Sequence, residues 1–498
     1  MTAIASEQLG ENASLVKDWA KGYESQLDEY SYWIDEIEGT IPPELQGTLF
    51  RNGAGSLEVN GQKIGHPFDG DGMICAITFE QGRAHFQNRY VRTEGYLKEQ
   101  AAGKILYRGF GTQKAGGWLA NIFDTNFKNA ANTSVIYWGD KLWAMWEGGH
   151  PHQLVPETLE TIGPDTLDGL LAADQPFSAH PRILDGRLVN FGVKGIASQS
   201  LTLFELDQQG NPLKQSSHPL SGFAFLHDML VTENYYVFVQ HPFQVKGLPF
   251  LLGFKTIEQC FDFNPEQPTK IILISRHGNH DLEIVETDSF FGFHHGNAWE
   301  KDGKLYFESV CSDFFPQKQQ DELDLEQIDF ESFPTGELWE FEVDLSAKTV
   351  VHRKVVERGC EFPSVHPQWV GKEHRYVYMS VCDSSDKNGP LQAILKLDKE
   401  SGGQQIWSVA PRAFPGEPIF VPRPGSTQED DGWLLSLVFD AATYRSYLAI
   451  LDAQDLNHVV AKLHLQHHIP HGFHGSWTPN VFLESSQNSS TTTKQGES

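Results

Sequence analysis

The chain has 498 residues and carries 38 basic against 66 acidic side chains, a formal charge of −28. So acidic a surface repels a polyanion and argues against nucleic acid as a partner, while 39% hydrophobic and 12% aromatic residues rule out global disorder. No stretch reaches the roughly 18 uninterrupted apolar residues that span a bilayer, and residues 1–22 lack the apolar run of a secretory signal. The expectation is a cytoplasmic protein that at most lies on a membrane surface.

In chain order, residues 1–16 read as a flexible N-terminus, and helical patterning over 15–27 reads as a cap or lid element. Strand signals follow almost to the end. Segments 76–80 and 85–91 form a hairpin across Gln81-Gly82, and segments 135–138 and 142–146 form another across Gly139-Asp140. A second helical pattern covers 118–127 and, like the first, reads as a cap or lid element. Further hairpins pair 297–300 with 305–310 across Asp302-Gly303, 375–381 with 393–397, and 433–439 with 447–451. The five cysteines, Cys75, Cys260, Cys311, Cys360 and Cys382, are scattered without a C-x-x-C pair and read as buried reduced thiols. Residues 484–498 are Ser/Thr/Gln-rich without apolar anchors and read as a disordered tail, so 17–483 form one all-β domain.

So many hairpins would leave long edges in an open sheet, and radial repetition removes them. At roughly 40 to 50 residues per four-stranded blade, six to eight blades would occupy about 300 to 350 residues. No clean repeat fixes the number.

Four histidines share a setting of apolar or small neighbours: His180 in Ser178-Ala179-His180-Pro181, His227 in Phe225-Leu226-His227-Asp228, His294 in Phe293-His294-His295, and His474 in Phe473-His474-Gly475-Ser476-Trp477. A buried imidazole needs partners for its nitrogens, so a set of them asks for a common one. Their separations of 47, 67 and 180 residues match no local zinc motif; only a radial fold brings such positions to one axis. Each alone is also compatible with a core histidine bonded to backbone carbonyls. Imidazole suits Fe, Zn, Cu or Ni, and four neutral imidazoles leave a divalent ion its charge and open positions for oxygen chemistry. Glu147, Glu361 and Glu417 sit in apolar contexts where a solvated glutamate is out of place, and a carboxylate is the usual partner of a ligating histidine's other N–H.

Together with Phe68-Asp69-Gly70-Asp71-Gly72-Met73, Trp146-Glu147-Gly148-Gly149, Glu361-Phe362-Pro363 and Gly416-Glu417-Pro418-Ile419-Phe420, these eight ordered motifs resemble the carotenoid cleavage oxygenases, and within them the cyanobacterial apocarotenoid-cleaving members. The resemblance spans about residues 17 to 477. It implies a seven-bladed β-propeller under a mostly non-polar dome, with one non-haem Fe2+ held by His180, His227, His294 and His474. It also implies that Glu147, Glu361 and Glu417 orient three of those ligands, His180 being the one expected to lack such a partner. The Asp69-Gly70-Asp71-Gly72 turn reads as structural. Arg51-Asn52-Gly53-Ala54-Gly55 departs from relatives that carry proline at its fourth position.

The implied reaction is O2-dependent cleavage of a conjugated C=C bond, at the 15,15' position of an apocarotenal or apocarotenol, to give retinal and a second aldehyde. Alternatives on the same fold are cleavage of another carotenoid or stilbene bond, or retinoid isomerisation; one of another class is a metal-free propeller that binds proteins. A rigid polyene asks for an apolar tunnel, for which Phe293, Trp146, Phe68 and Thr133 are the candidates. Trp118, Leu119 and Phe123, with Leu248, Phe250 and Leu251, form either a membrane-touching patch or part of the dome core.

Overall fold

The computed structural model describes residues 13–195, 198–278, 282–313, 315, 324–330, 336–385 and 388–484. Seven antiparallel sheets follow one another along the chain and form the blades of a propeller. Blade one is built on Gly47–Ser56, Asp71–Glu80 and Arg83–Tyr90; blade two runs from Ser134–Trp138 to Thr161–Pro164, and blade three from Arg182–Leu184 to Pro212–Pro219. Blade four starts at Leu230–Val231, blade five at His295–Lys301, blade six at Cys360–Ser364 and blade seven at Ile419–Pro422. The hairpins read from sequence are present, and their turns explain them. Gln81 and Gly82, Gly139 and Asp140, and Asp302 and Gly303 all take positive φ, the pairing that two-residue turns need to match strand twist.

The ring is closed at both chain ends. Gly475–Thr478 hydrogen-bonds to Gly47–Ser56 as the innermost strand of blade one, and Ile37–Gly39 pairs with Val459–His464 as the outermost strand of blade seven. Every neighbouring pair of blades encloses its own apolar core. Phe191 and Leu203 of blade three meet Tyr236 and Ile272 of blade four, and Phe50 and Ile74 of blade one meet Val135 and Leu142 of blade two. Blade seven meets blade one through Trp433, Leu435, Leu49 and Ile77. This explains why central strands are hydrophobic on both faces instead of alternating.

Innermost strands all start at the same end of the ring, and the long connections, 57–70, 91–133 and 241–268, emerge at that end, as do the described residues 312–313, 315 and 324–330. They build the dome, whose core is Phe243, Phe261, Phe291 and Phe315 with Phe110, Phe225 and Phe293 packed against it. Both helical expectations shorten. The first helix runs only to residue 21, and the following Gly22 lies against His471 with no room for a side chain; the helix covers residues 13–16, expected to be flexible. The second is only Trp118–Asn121, since Phe123 takes a left-handed φ of 56° that a helix does not tolerate. Residues 1–12, and the expected disordered tail beyond Glu484, lie outside the described residues. All five cysteines are buried and none forms a disulfide, and burial pushes the Cys75 thiol up to about 12.

Candidate metal centre

The start of each innermost strand points at the axis, and each blade places one chemically distinctive residue there. Blade one brings His474, blade two Thr133, blade three His180, blade four His227, blade five His294, blade six Glu361 and blade seven Glu417. Glu147 arrives from a different position, just after the second strand of blade two, Lys141–Met145.

The four histidines converge. One ring nitrogen from each lies within 4.8 Å of the others, and His227 Nε2 stands 3.2 Å from His294 Nε2. The opposite nitrogens are held by carboxylates: His227 Nδ1 by Glu147, His294 Nδ1 by Glu361 Oε2 at 2.6 Å, and His474 Nδ1 by Glu417 Oε1 at 2.9 Å. With Nδ1–H donated outwards, the inward Nε2 atoms present lone pairs to one another. His180 has no glutamate, and its buried Nε2 has no hydrogen-bond partner.

Converging lone pairs and an orphaned buried nitrogen repel unless a cation satisfies them, and nitrogen ligands about 2.0–2.1 Å from one ion stand roughly 3 Å apart when adjacent. The residues therefore fit a metal ion. His227, His294 and His474 keep 11, 15 and 11% of their side-chain surface because they face a cavity, although they lie deep in the protein. Burial, reinforced by the other three imidazoles, holds His180 well below its ordinary 6.5 and so in the ligating neutral form. Burial also lowers His474 against the pull of Glu417, whereas for His294 burial is outweighed by Glu361 together with Asp228 and Glu417, which raise it.

The glutamates are anchored in turn. Glu361 Oε2 accepts from Phe362 N at 2.9 Å, at a bulge where Phe362 adopts φ 58°, rare for a bulky residue. This strained backbone lodges the Phe362 ring 5.5 Å from both the His294 and His474 rings. Glu417 accepts from Gly475 N at 2.9 Å and from Arg51, whose Nη2 donates to Phe473 O at 3.0 Å. Burial would raise Glu417, but His474 and Arg51 bring it down to about 2. Arg51 and Phe362 escaped the sequence reading, although each directly adjoins or belongs to a motif that reading used.

A cavity of about 1270 Å³ opens over the centre, lined by Phe68, Thr133, Trp146 and Phe293 together with His227, His294 and His474. Phe293 packs its ring 5.2 Å from His227 and 6.2 Å from Phe68. The Asp69 carboxylate accepts from Phe110 N at 2.6 Å, Gly111 N at 2.9 Å and Thr112 Oγ1 at 2.7 Å, and so pins the Phe110 ring 5.7 Å from Phe68.

The family model of the retinal pigment epithelial membrane protein matches residues 23–479. The chain belongs to that family, the carotenoid cleavage oxygenases. Apocarotenoid-15,15'-oxygenase of Synechocystis is 50% identical to this member over 93% of the chain and 96% of the relative. Resveratrol cleavage oxygenase 1 of Botryotinia fuckeliana is 29% identical over 89% and 82%. The crystal structure of a cobalt-substituted Synechocystis apocarotenoid oxygenase superposes with a TM-score of 0.91 at 50% identity, covering 93% of this chain and 98% of that one. The protein is thus an oxygenase of the carotenoid cleavage class on a seven-bladed propeller.

At the outer edge of the dome, Trp118, Leu119, Phe123, Leu248, Leu251 and Phe254 are exposed, Leu119 and Phe123 to 68 and 71%. Phe250, expected among them, is instead buried. Its ring lies under the Arg108 guanidinium, 3.7 Å from the centroid, and stacks on Phe127. Arg108 donates to Asn121 O, Asp124 O, Phe250 O and Lys255 O at 2.8 to 3.1 Å and thereby ties both apolar segments together. No helix among the described residues is long and apolar enough to cross a membrane.

Proposed function

We propose that this oxygenase cleaves the 15,15' double bond of an apocarotenal or apocarotenol to retinal and a second aldehyde, using one Fe2+ held by His180, His227, His294 and His474. The observation that carries the reading is the convergence of four imidazoles, with ring nitrogens within 4.8 Å, beneath an aromatic cavity of about 1270 Å³. The choice of substrate rests on the 50% identical relative named for that reaction. When bound, ferrous iron supplies activation of O2 for oxidative scission of the alkene.

The protein's part is position and dryness. Glu147, Glu361 and Glu417 fix the ring orientation of three ligands and keep their inward nitrogens free of protons. Phe68 and Phe293 grip a flat polyene edge-on beside His227, while Trp146 and Thr133 bound the space next to the centre. Asp69 holds the Phe110 wall against that grip. The exposed apolar residues of the dome edge meet a membrane surface from the cytoplasmic side and shorten the polyene's route from lipid; with a chain charge of −28 the contact is hydrophobic, not electrostatic.

The test joins metal analysis to turnover. Purified protein should hold about one iron per chain, and anaerobic incubation with apocarotenals of several lengths should release retinal only after air is admitted. His227→Ala and His474→Ala should lose both metal and product. A variant still fully active, or products from another bond, would overturn the assignment.

A further inference from the structure

Three of the four imidazoles are steered by a glutamate on the ring, and His180 is not. What holds its segment lies two residues along the chain. The Arg182 guanidinium donates through Nε to Met229 O at 2.9 Å, through Nη1 to Gly296 O at 3.2 Å, and through Nη2 to Asp228 Oδ2 at 2.6 Å and His295 O at 2.8 Å. Asp228 answers by accepting from Met229 N through Oδ1 at 2.7 Å and from His295 N through Oδ2 at 2.9 Å. Asp228 follows His227 and His295 follows His294, so one ion pair joins blades three, four and five beside three of the converging imidazoles. The Asp228 side chain is only 2% exposed, and Pro181, with its fixed φ, transmits the placement of Arg182 back to His180.

We infer that Arg182 and Asp228 are positioning residues that do for His180, through the backbone, what a carboxylate does for the other three ligands through the ring. The inference rests on the metal reading above. Other buried pairs, such as Arg276 with Glu205 at 2.9 Å, join strands of neighbouring blades without touching a histidine segment. Only a planar fork reaches four acceptors spread over two further blades; an ammonium presents one nitrogen.

The experiment uses full-length protein stripped of metal and titrated with Co2+, the ligand-field absorption being followed in the visible. Wild-type protein should bind one Co2+ per chain. Arg182→Lys, Arg182→Gln and Asp228→Asn should each weaken binding about 10- to 100-fold and shift the absorption bands, because the His180 nitrogen is released from its place. Glu205→Gln should lower the urea midpoint and leave affinity and bands unchanged. Arg182→Lys keeps a charge beside Asp228, and decides the matter if Asp228→Asn does not fold. Wild-type affinity and spectrum in Arg182→Lys would overturn the clamp alone, as would an equal loss in Glu205→Gln. Wild-type protein that takes up no Co2+ would overturn the metal reading and the clamp with it.

Discussion

Glu417 and Glu147 hold equivalent imidazole nitrogens in different surroundings, so removing their charges should separate stability from metal affinity. Glu417 faces only donors: His474 Nδ1–H, Gly475 N–H and Arg51. Glutamine offers one acceptor oxygen for them and turns an NH2 group against at least one. Arg51, whose side chain is 6% exposed, then keeps only Phe473 O at 3.0 Å. Breaking one side of such a pair costs about 3–5 kcal/mol, and the retained carbonyl bond places the expected loss near ~3 kcal/mol. Glu147 instead accepts from His227 alone among the described residues, and its side chain is 30% exposed to the cavity. Glutamine can accept there and direct its NH2 into open space, for less than about 1 kcal/mol. Both variants should weaken metal binding by about 10-fold or more, since each unsettles one ligand. Urea unfolding at pH 7 measures the first quantity and Co2+ titration the second. Equal destabilisation by Glu417→Gln and Glu147→Gln would refute the reasoning.

Three further outcomes follow from the same structure. Burial pushes the Glu308 carboxyl up, but His374 and Lys399 hold it down at about 2, from an ordinary 4.5. A depressed carboxyl contributes stability above the higher value that is lost as pH falls towards the lower one, here ~3 kcal/mol; unfolding of the wild type should weaken across that window more steeply than unfolding of Glu308→Gln, and parallel curves would count against it. Chelation of the metal should leave the far-ultraviolet spectrum intact, because the blade-to-blade cores do not use the ion, and collapse of the β signal would contradict that account. Leu119→Glu combined with Phe123→Glu should cut flotation with neutral lipid vesicles at least 10-fold, from the loss of about 1.5 kcal/mol or more per apolar side chain, with little change on raising salt; unchanged flotation would remove the patch from the membrane.

Strand positions were legible because Gln81-Gly82, Gly139-Asp140 and Asp302-Gly303 are local turn chemistry, which acts within a few residues. The number of blades came from the family resemblance and not from periodicity, since the repeat lies in backbone geometry while each core is filled by different side chains. The histidines and glutamates stood out because their flanks are apolar. Arg182 and Asp228 stayed hidden although they lie within two residues of His180 and His227, because an Arg and an Asp 46 residues apart look like ordinary surface charges until three blades are brought together. The 118–127 segment misled because its apolar spacing suits a helix, yet its side chains serve an outward patch and Phe123 breaks the turn.

His474 leads directly into Gly475–Thr478, the strand that completes blade one. A chain emerging from the ribosome therefore owns three imidazoles and their scaffold long before it owns the fourth. Four-nitrogen capture of a metal ion must wait for Gly475–Thr478 to seat, which makes loading a checkpoint for a finished ring.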